Sequence, residues 1–160
     1  MEVISDETLD EIRGRLHISL TSTRMESLIT SSFCDRESLV DALACSCFIP
    51  LFSGYKIPKY CGKKYMDGGI TNQLPVLNDT TIKISPFSGK YKDICPPDKA
   101  SLSLSFANEN IYLSKVNLQR AFHAVRYLSD EKLYYYYNLG FDCSELFIKA
   151  NKTPISNLFA

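Results

Sequence analysis

Apolar and polar side chains alternate over residues 15–20, with Leu16, Ile18 and Leu20 on one face and Arg15, His17 and Ser19 on the other. That period of two predicts a half-buried β-strand. Thr21-Ser22-Thr23-Arg24 is polar and turn-like, and residues 25–33 read as a second strand, so a hairpin is expected. The period then changes. Leu39, Val40, Leu43, Ala44, Cys47 and Phe48 follow helical spacing behind Asp35, which is placed to cap the first turn, and Pro50 ends the element. Gly54 and Pro58 break the next stretch into loop. Residues 64–66 form a short strand, and residues 80–85 another, alternating Ile82 and Ile84 with Thr81 and Lys83. Two proline-containing turns, Ser85-Pro86-Phe87-Ser88-Gly89 and Cys95-Pro96-Pro97-Asp98, punctuate a long surface connection. In the last third, Leu118, Ala121, Phe122, Val125 and Leu128 form a core-facing helical stripe. A second helix opens at Ser129-Asp130-Glu131 and continues through Leu133, Tyr136, Tyr137, Gly140 and Phe141.

Mixed strands and helices predict an α/β layer arrangement. The 160 residues suit one domain or a large part of one, and 45% hydrophobic with 22% charged residues is ordinary globular composition. Eighteen basic residues balance eighteen acidic ones. A chain without net charge lacks the electrostatic footprint of a nucleic-acid binder, while apolar contact with a lipid surface stays open to it. Six cysteines stand at 34, 45, 47, 61, 95 and 143 without a Cys-x-x-Cys, and His17 and His123 are far apart. Neither a metal site nor a disulfide framework is expected from that spacing, and reduced cytosolic thiols are the default. The acidic opening Met1-Glu2-Val3-Ile4-Ser5-Asp6-Glu7 has no apolar centre and does not read as a signal peptide. No apolar run approaches the roughly 18 residues of a membrane span.

The chemistry concentrates in Lys64-Tyr65-Met66-Asp67-Gly68-Gly69-Ile70-Thr71-Asn72-Gln73-Leu74-Pro75, where one carboxylate ends a short apolar run and meets the chain's only glycine pair. Glycines permit a sharp bend there, and an acid fixed at such a bend can face a cleft as a base or an orienting group. Taken alone, Asp67 reads more simply as a turn acid holding its own Gly-Gly bend. No two of the seven glycines are four apart, so a Gly-x-Ser-x-Gly nucleophile elbow is absent from this sequence. Ser88 beside Gly89, with His17 or His123 as base, can be written as a replacement triad on paper only. Four successive tyrosines, Tyr134 to Tyr137, point nearly all round a helix, so two are expected to reach the core and two the surface. Lys115, Arg120 and Arg126 read as a solvated helix face capable of touching anionic headgroups, and Cys45 and Cys47 as buried small residues.

Four blocks occur in order: Gly14-Arg15-Leu16-His17-Ile18-Ser19-Leu20-Thr21, Cys47-Phe48-Ile49-Pro50, Tyr65-Met66-Asp67-Gly68-Gly69-Ile70, and Ile84-Ser85-Pro86-Phe87-Ser88-Gly89. Together they resemble patatin-like phospholipase domains, in the branch of adipose triglyceride lipase and adiponutrin, from about residue 14 to 151. The resemblance implies a patatin-like α/β fold, a central sheet flanked by helices. It also implies hydrolysis of lipid acyl esters, of the triacylglycerol lipase or phospholipase A type, by a serine–aspartate dyad without histidine. By that likeness Asp67 is the dyad acid, Gly68 and Gly69 shape its turn, and no metal or organic cofactor takes part.

The family's glycine-rich oxyanion loop and serine elbow lie upstream of the region that begins here near Gly14. The expectation is therefore an incomplete, C-terminal part of the domain: residues 1–13 an N-terminal extension, 14–151 the patatin-like part, 152–160 a tail. Such a chain supplies half a dyad and is expected to be inactive alone; the alternative is a non-catalytic pseudoenzyme that binds lipid or a protein. Expected partners are a lipid substrate or surface, and a protein covering the sheet edge left open, but no nucleic acid. The expected place is the cytoplasm, peripheral at lipid droplets or membranes, with no transmembrane segment.

Overall fold

The computed structural model describes residues 5–151, which fall into two compact units, residues 5–75 with Ala107–Glu109, and the remainder. The expected tail at 152–160 and the first four residues of the expected extension lie outside the described residues.

In the first unit, helix α1 (Asp6–Ile12) starts at Ser5, whose side chain accepts the Thr8 N–H at 3.1 Å. The residues expected as an extension thus hold a helix, and Leu9 joins the core. Strands β1 (Ile18–Ser22) and β2 (Ser27–Thr30) form the expected hairpin, with its bend two residues later than the polar run suggested. Met25 takes that bend at φ 63°, a left-handed position that glycine or asparagine would occupy with less strain. Helix α2 (Arg36–Ser46) begins as predicted, its cap completed reciprocally by Asp35 and Ser38. Strands β3 (Lys59–Tyr60) and β4 (Lys63–Asp67) complete an antiparallel sheet of order β2-β1-β4-β3. Leu20, Ile18, Phe33, Leu39, Ala42, Cys45 and Tyr60 close the core between α2 and that sheet.

The buried face of α2 differs from the predicted one. Leu39, Ala42 and Cys45 point inward, while Val40 and Leu43 are exposed. Two small side chains a turn apart let the helix approach the strands closely, which the bulkier stripe would prevent.

The second unit departs further. The strand expected at 80–85 is absent as such; only a bridge between Ile84 and Ile94 forms. Asn78 and Thr81 explain it: the Thr81 hydroxyl accepts the N–H groups of Leu77 and Asn78 at 3.1 and 3.0 Å, and the Asn78 side chain accepts that of Thr80 at 3.0 Å. Within 80–85 the N–H groups of Thr80 and Thr81 are thus turned to Asn78 and that of Lys83 to the Asp93 carboxylate, which leaves Ser85 to donate across to Ile94. A two-stranded sheet not foreseen, β5 (Ser103–Phe106) with β6 (Glu109–Tyr112), follows. Helices α3 (Lys115–Ala124) and α4 (Asp130–Asn151) confirm a helical last third.

The stripe chosen for α3 is wrong, because Leu118, Phe122 and Val125 are exposed and the helix buries Asn117 and Arg120 instead. On α4, Leu133, Tyr137 and Phe141 are exposed, whereas Cys143 is buried and Tyr136 half-buried. The fold class is α/β, mixed helices with antiparallel sheets.

Candidate functional site

Asp67 is the last residue of β4 and sits at the head of a single 3-10 turn, Gly68–Ile70. Its place is fixed from three sides. The Asp67 N–H donates to the carbonyl of Phe48 at 2.9 Å, its own carbonyl accepts the Thr21 hydroxyl at 2.8 Å, and Leu20 faces it across the sheet. The carboxylate turns back over its own bend, where Oδ1 accepts the Gly69 N–H at 2.7 Å. The side chain is half-buried, and among the described residues it enters no ion pair. An acid at a strand-end turn, tethered through one oxygen, leaves the other oxygen for a partner.

Space requires glycine at 68 and is tight at 69. A β-carbon on Gly68 would overlap the carbonyl of Ser19, and one on Gly69 would come within 3.0 Å of Asp67 Oδ1. The neighbours that pattern reading missed are hydroxyls. Thr21, fully buried, also bonds Thr71 at 2.9 Å, and Ser19 donates to the carbonyl of Asn72 at 3.3 Å. Their one sequence signal is a polar residue directly after Leu20 in a strand that buries both.

The replacement triad does not assemble. Ser88 is buried; its hydroxyl donates to the Pro96 carbonyl at 2.6 Å and accepts from Arg120 Nη1 at 2.6 Å. His123 Nδ1 bonds the Tyr136 hydroxyl at 2.8 Å, and exposed His17 bonds the carbonyl of Arg15 at 3.2 Å. Burial pushes the Tyr136 hydroxyl up from its ordinary pKa. Only Tyr136 of the tyrosine run is half-buried; the other three are exposed, so the even division expected for them fails. Arg120 leaves the solvated face assigned to it, while Arg126 stacks its guanidinium over the Phe122 ring at 3.9 Å. Cys45 is buried as expected and Cys47 is exposed.

Among the described residues no cluster of three or more histidine, cysteine or acidic side chains is arranged to hold a metal ion. No helix among them is long and apolar enough to cross a membrane. With Oδ1 holding the Gly69 N–H, the Asp67 carboxylate can still accept a hydrogen bond or a proton through its other oxygen.

Comparison with known proteins matches residues 2–78 to the family described as patatin-like phospholipase. Patatin-like phospholipase domain-containing protein 4 of Homo sapiens is 40% identical over 153 residues, covering 92% of this chain and 60% of that protein. A 1-acylglycerol-3-phosphate O-acyltransferase of Mus musculus is 43% identical over 122 residues, 74% of this chain and 29% of its own length. The omega-hydroxyceramide transacylase of Homo sapiens is 36% identical over 151 residues, 92% of this chain and 28% of its own. The chain thus spans 60% of the first relative and under a third of the other two. No solved structure matches.

Proposed function

The chain belongs to the patatin-like phospholipase family, matching the C-terminal part of that domain, and we propose that it carries the acid half of a lipid acyl-transfer site, with Asp67 as the dyad aspartate. Relatives named as phospholipases, acyltransferases and transacylases put the chain in a lipid hydrolase and acyltransferase family. Within it our reading is acyl-ester hydrolysis of a neutral glycerolipid or phospholipid.

The observation that carries the reading is the tether of Asp67. One carboxylate oxygen is held by Gly69 N–H, so the other is oriented without being consumed. In the proposed step a serine hydroxyl hands its proton to Asp67 as its oxygen attacks the ester carbonyl, and the proton then passes to the departing alcohol. Water, or a second lipid hydroxyl, takes the acyl group from the serine in the return half.

These 160 residues hold no Gly-x-Ser-x-Gly, so the serine and the oxyanion donors must come from another segment. Alone, the chain is inactive by this mechanism, since removing the nucleophile of a comparable hydrolase costs about 10⁶ in turnover. The test is hydrolysis of a fluorogenic glycerolipid by the chain alone and by the chain fused behind the elbow-bearing segment of a relative. The fusion should turn over, and the chain alone should not. Turnover by the chain alone that survives Asp67→Asn would overturn the reading.

A further inference from the structure

The segment between α2 and β3 is closed by its own hydrogen bonds, yet it sends large apolar side chains outward. Ile49 O accepts the N–H groups of Phe52 and Ser53 at 3.2 and 2.8 Å, Leu51 N–H donates to Gly54 O at 3.1 Å, and Ser53 Oγ accepts the Ile49 N–H at 3.1 Å. Despite this order, Leu51 is 79% exposed, Phe52 61% and Tyr55 90%. Leu51 also sits at φ 71°, in the left-handed region that a β-carbon disfavours. A slack surface loop would relax that angle and fold its apolar groups away. At the base of the loop lies buried Phe48, whose carbonyl holds the Asp67 N–H.

Charge beside the loop is one-sided. Lys56, Lys59, Lys63, Lys64 and Arg24 are exposed, and among the described residues none of the five is in an ion pair. Lys59 and Lys64 stand directly opposite in the β3–β4 register, where like charges repel. Arg24, Lys63 and Lys64 line a depression of about 450 Å³ whose one acid is Glu26. In a chain of zero net charge, this concentration fits an anionic partner.

We propose that residues 49–59, with Lys64, form an interfacial anchor for an anionic lipid bilayer. Leu51, Phe52 and Tyr55 enter the boundary between headgroups and acyl chains, and Lys56, Lys59 and Lys64 meet the headgroup phosphates. A segment that carries exposed apolar residues at 51, 52 and 55 beside exposed lysines at 56 and 59 offers contacts to both halves of that boundary. A tyrosine at the edge of the apolar group suits the same depth. The anchor rests on the lipid-acting reading above and names the surface from which substrate would reach Asp67.

Co-sedimentation of the 160-residue chain with phosphatidylcholine vesicles, with and without phosphatidylserine, tests it. The parent should bind the serine-containing vesicles, and salt should weaken the binding. Leu51→Ser with Phe52→Ser should lower partitioning at least roughly tenfold on either vesicle. Lys59→Gln with Lys64→Gln should cost roughly twentyfold on the anionic vesicles alone. All four side chains are exposed, and unchanged circular dichroism would verify that the variants fold. Equal binding by either double variant and the parent overturns the anchor. So does a parent that ignores vesicles but self-associates through Phe52, which would make the loop a contact between copies. Because the readout is binding, Asp67→Asn should behave as the parent, and failure of the acyl-transfer reading would leave this result unaffected.

Discussion

Gly68 packs so closely on the backbone of Ser19 that a β-carbon there would overlap the Ser19 carbonyl oxygen. The contact locks the turn after Asp67 onto β1, so the acid's position depends on a residue with no side chain. Gly68→Ala should therefore destabilise the fold by about 1–3 kcal/mol, the range for forcing extra volume into a packed site. Gly140, mid-way along α4, has nothing within 4 Å of its would-be β-carbon. Gly140→Ala should stabilise by about 1 kcal/mol through helix propensity. Chemical denaturation of the two variants beside the parent reads both signs in one experiment.

Asp67 lends itself to separating architecture from chemistry. Its Oδ1 caps the Gly69 N–H, and an asparagine oxygen can accept the same bond. Asp67→Asn should leave stability within about 0.5 kcal/mol of the parent, while Asp67→Ala should cost about 1 kcal/mol as a lost cap. In the fusion bearing a serine elbow, both should cut turnover by about 10⁴, as loss of a triad acid does. An asparagine variant that kept full turnover would leave Asp67 a turn residue only.

How much of this was legible in the sequence varied with where hydrogen bonds had to go. The hairpin, the Asp35 cap, the strand into Asp67 and the helical last third all follow from period and turn chemistry, because local pattern and tertiary need agree there. The strand expected at 80–85 failed where Asn78 and Thr81 captured the backbone locally. For α2, two apolar stripes were available, and the choice fell to small Ala42 and Cys45 because they permit close approach, which hydrophobicity alone does not rank. The inward face of α3 is polar because the backbone around Ser88 needs partners: Asn117 accepts the Ser88 N–H and donates to the Ser88 and Tyr112 carbonyls. At the candidate site, Asp67 and its glycines were readable, while the hydroxyls of Ser19 and Thr21 lie some fifty residues before their partners Thr71 and Asn72 and reach them only through the β1–β4 pairing.

Asn117 should be the costliest polar residue to remove. Its truncation to alanine orphans the buried Ser88 N–H and frees Arg120 Nη1 of one acceptor at 3.0 Å, while the Ser88 and Tyr112 carbonyls each lose one donor but keep the N–H of Tyr112 and of Ser114. An unsatisfied buried group of this kind costs about 1–3 kcal/mol, and the lost bonds add to it. The loss for Asn117→Ala should reach about 3 kcal/mol, read as a fall in denaturation midpoint. Ser88 in the same cluster should resist a serine-directed fluorophosphonate, since its hydroxyl is buried between Arg120 and Pro96. Labelling of Ser88 in the folded chain would contradict its structural role.

The thiols divide by burial, and that division sets a pH dependence. Cys34, Cys47 and Cys61 are exposed, whereas Cys45 and Cys143 are buried. Maleimide at neutral pH should modify the exposed three rapidly and reach the buried two only on unfolding, as peptide mapping would show. Burial first, and then the Asp41 carboxylate, push the Cys45 thiol above its ordinary pKa, against a smaller lowering by the Tyr65 backbone. Burial does the same to Cys143. In the unfolded chain these thiols ionise at their ordinary value, earlier than in the folded one, so the unfolded state gives up protons first as pH rises. The neutral-thiol contribution is thus fully present below the ordinary thiol pKa and is lost as pH climbs through the folded value. Stability should fall between neutral and alkaline pH, and Cys45→Ser with Cys143→Ser should flatten that slope even while lowering stability overall. A parent whose denaturation midpoint is level across the alkaline range would show that neither thiol is held from water.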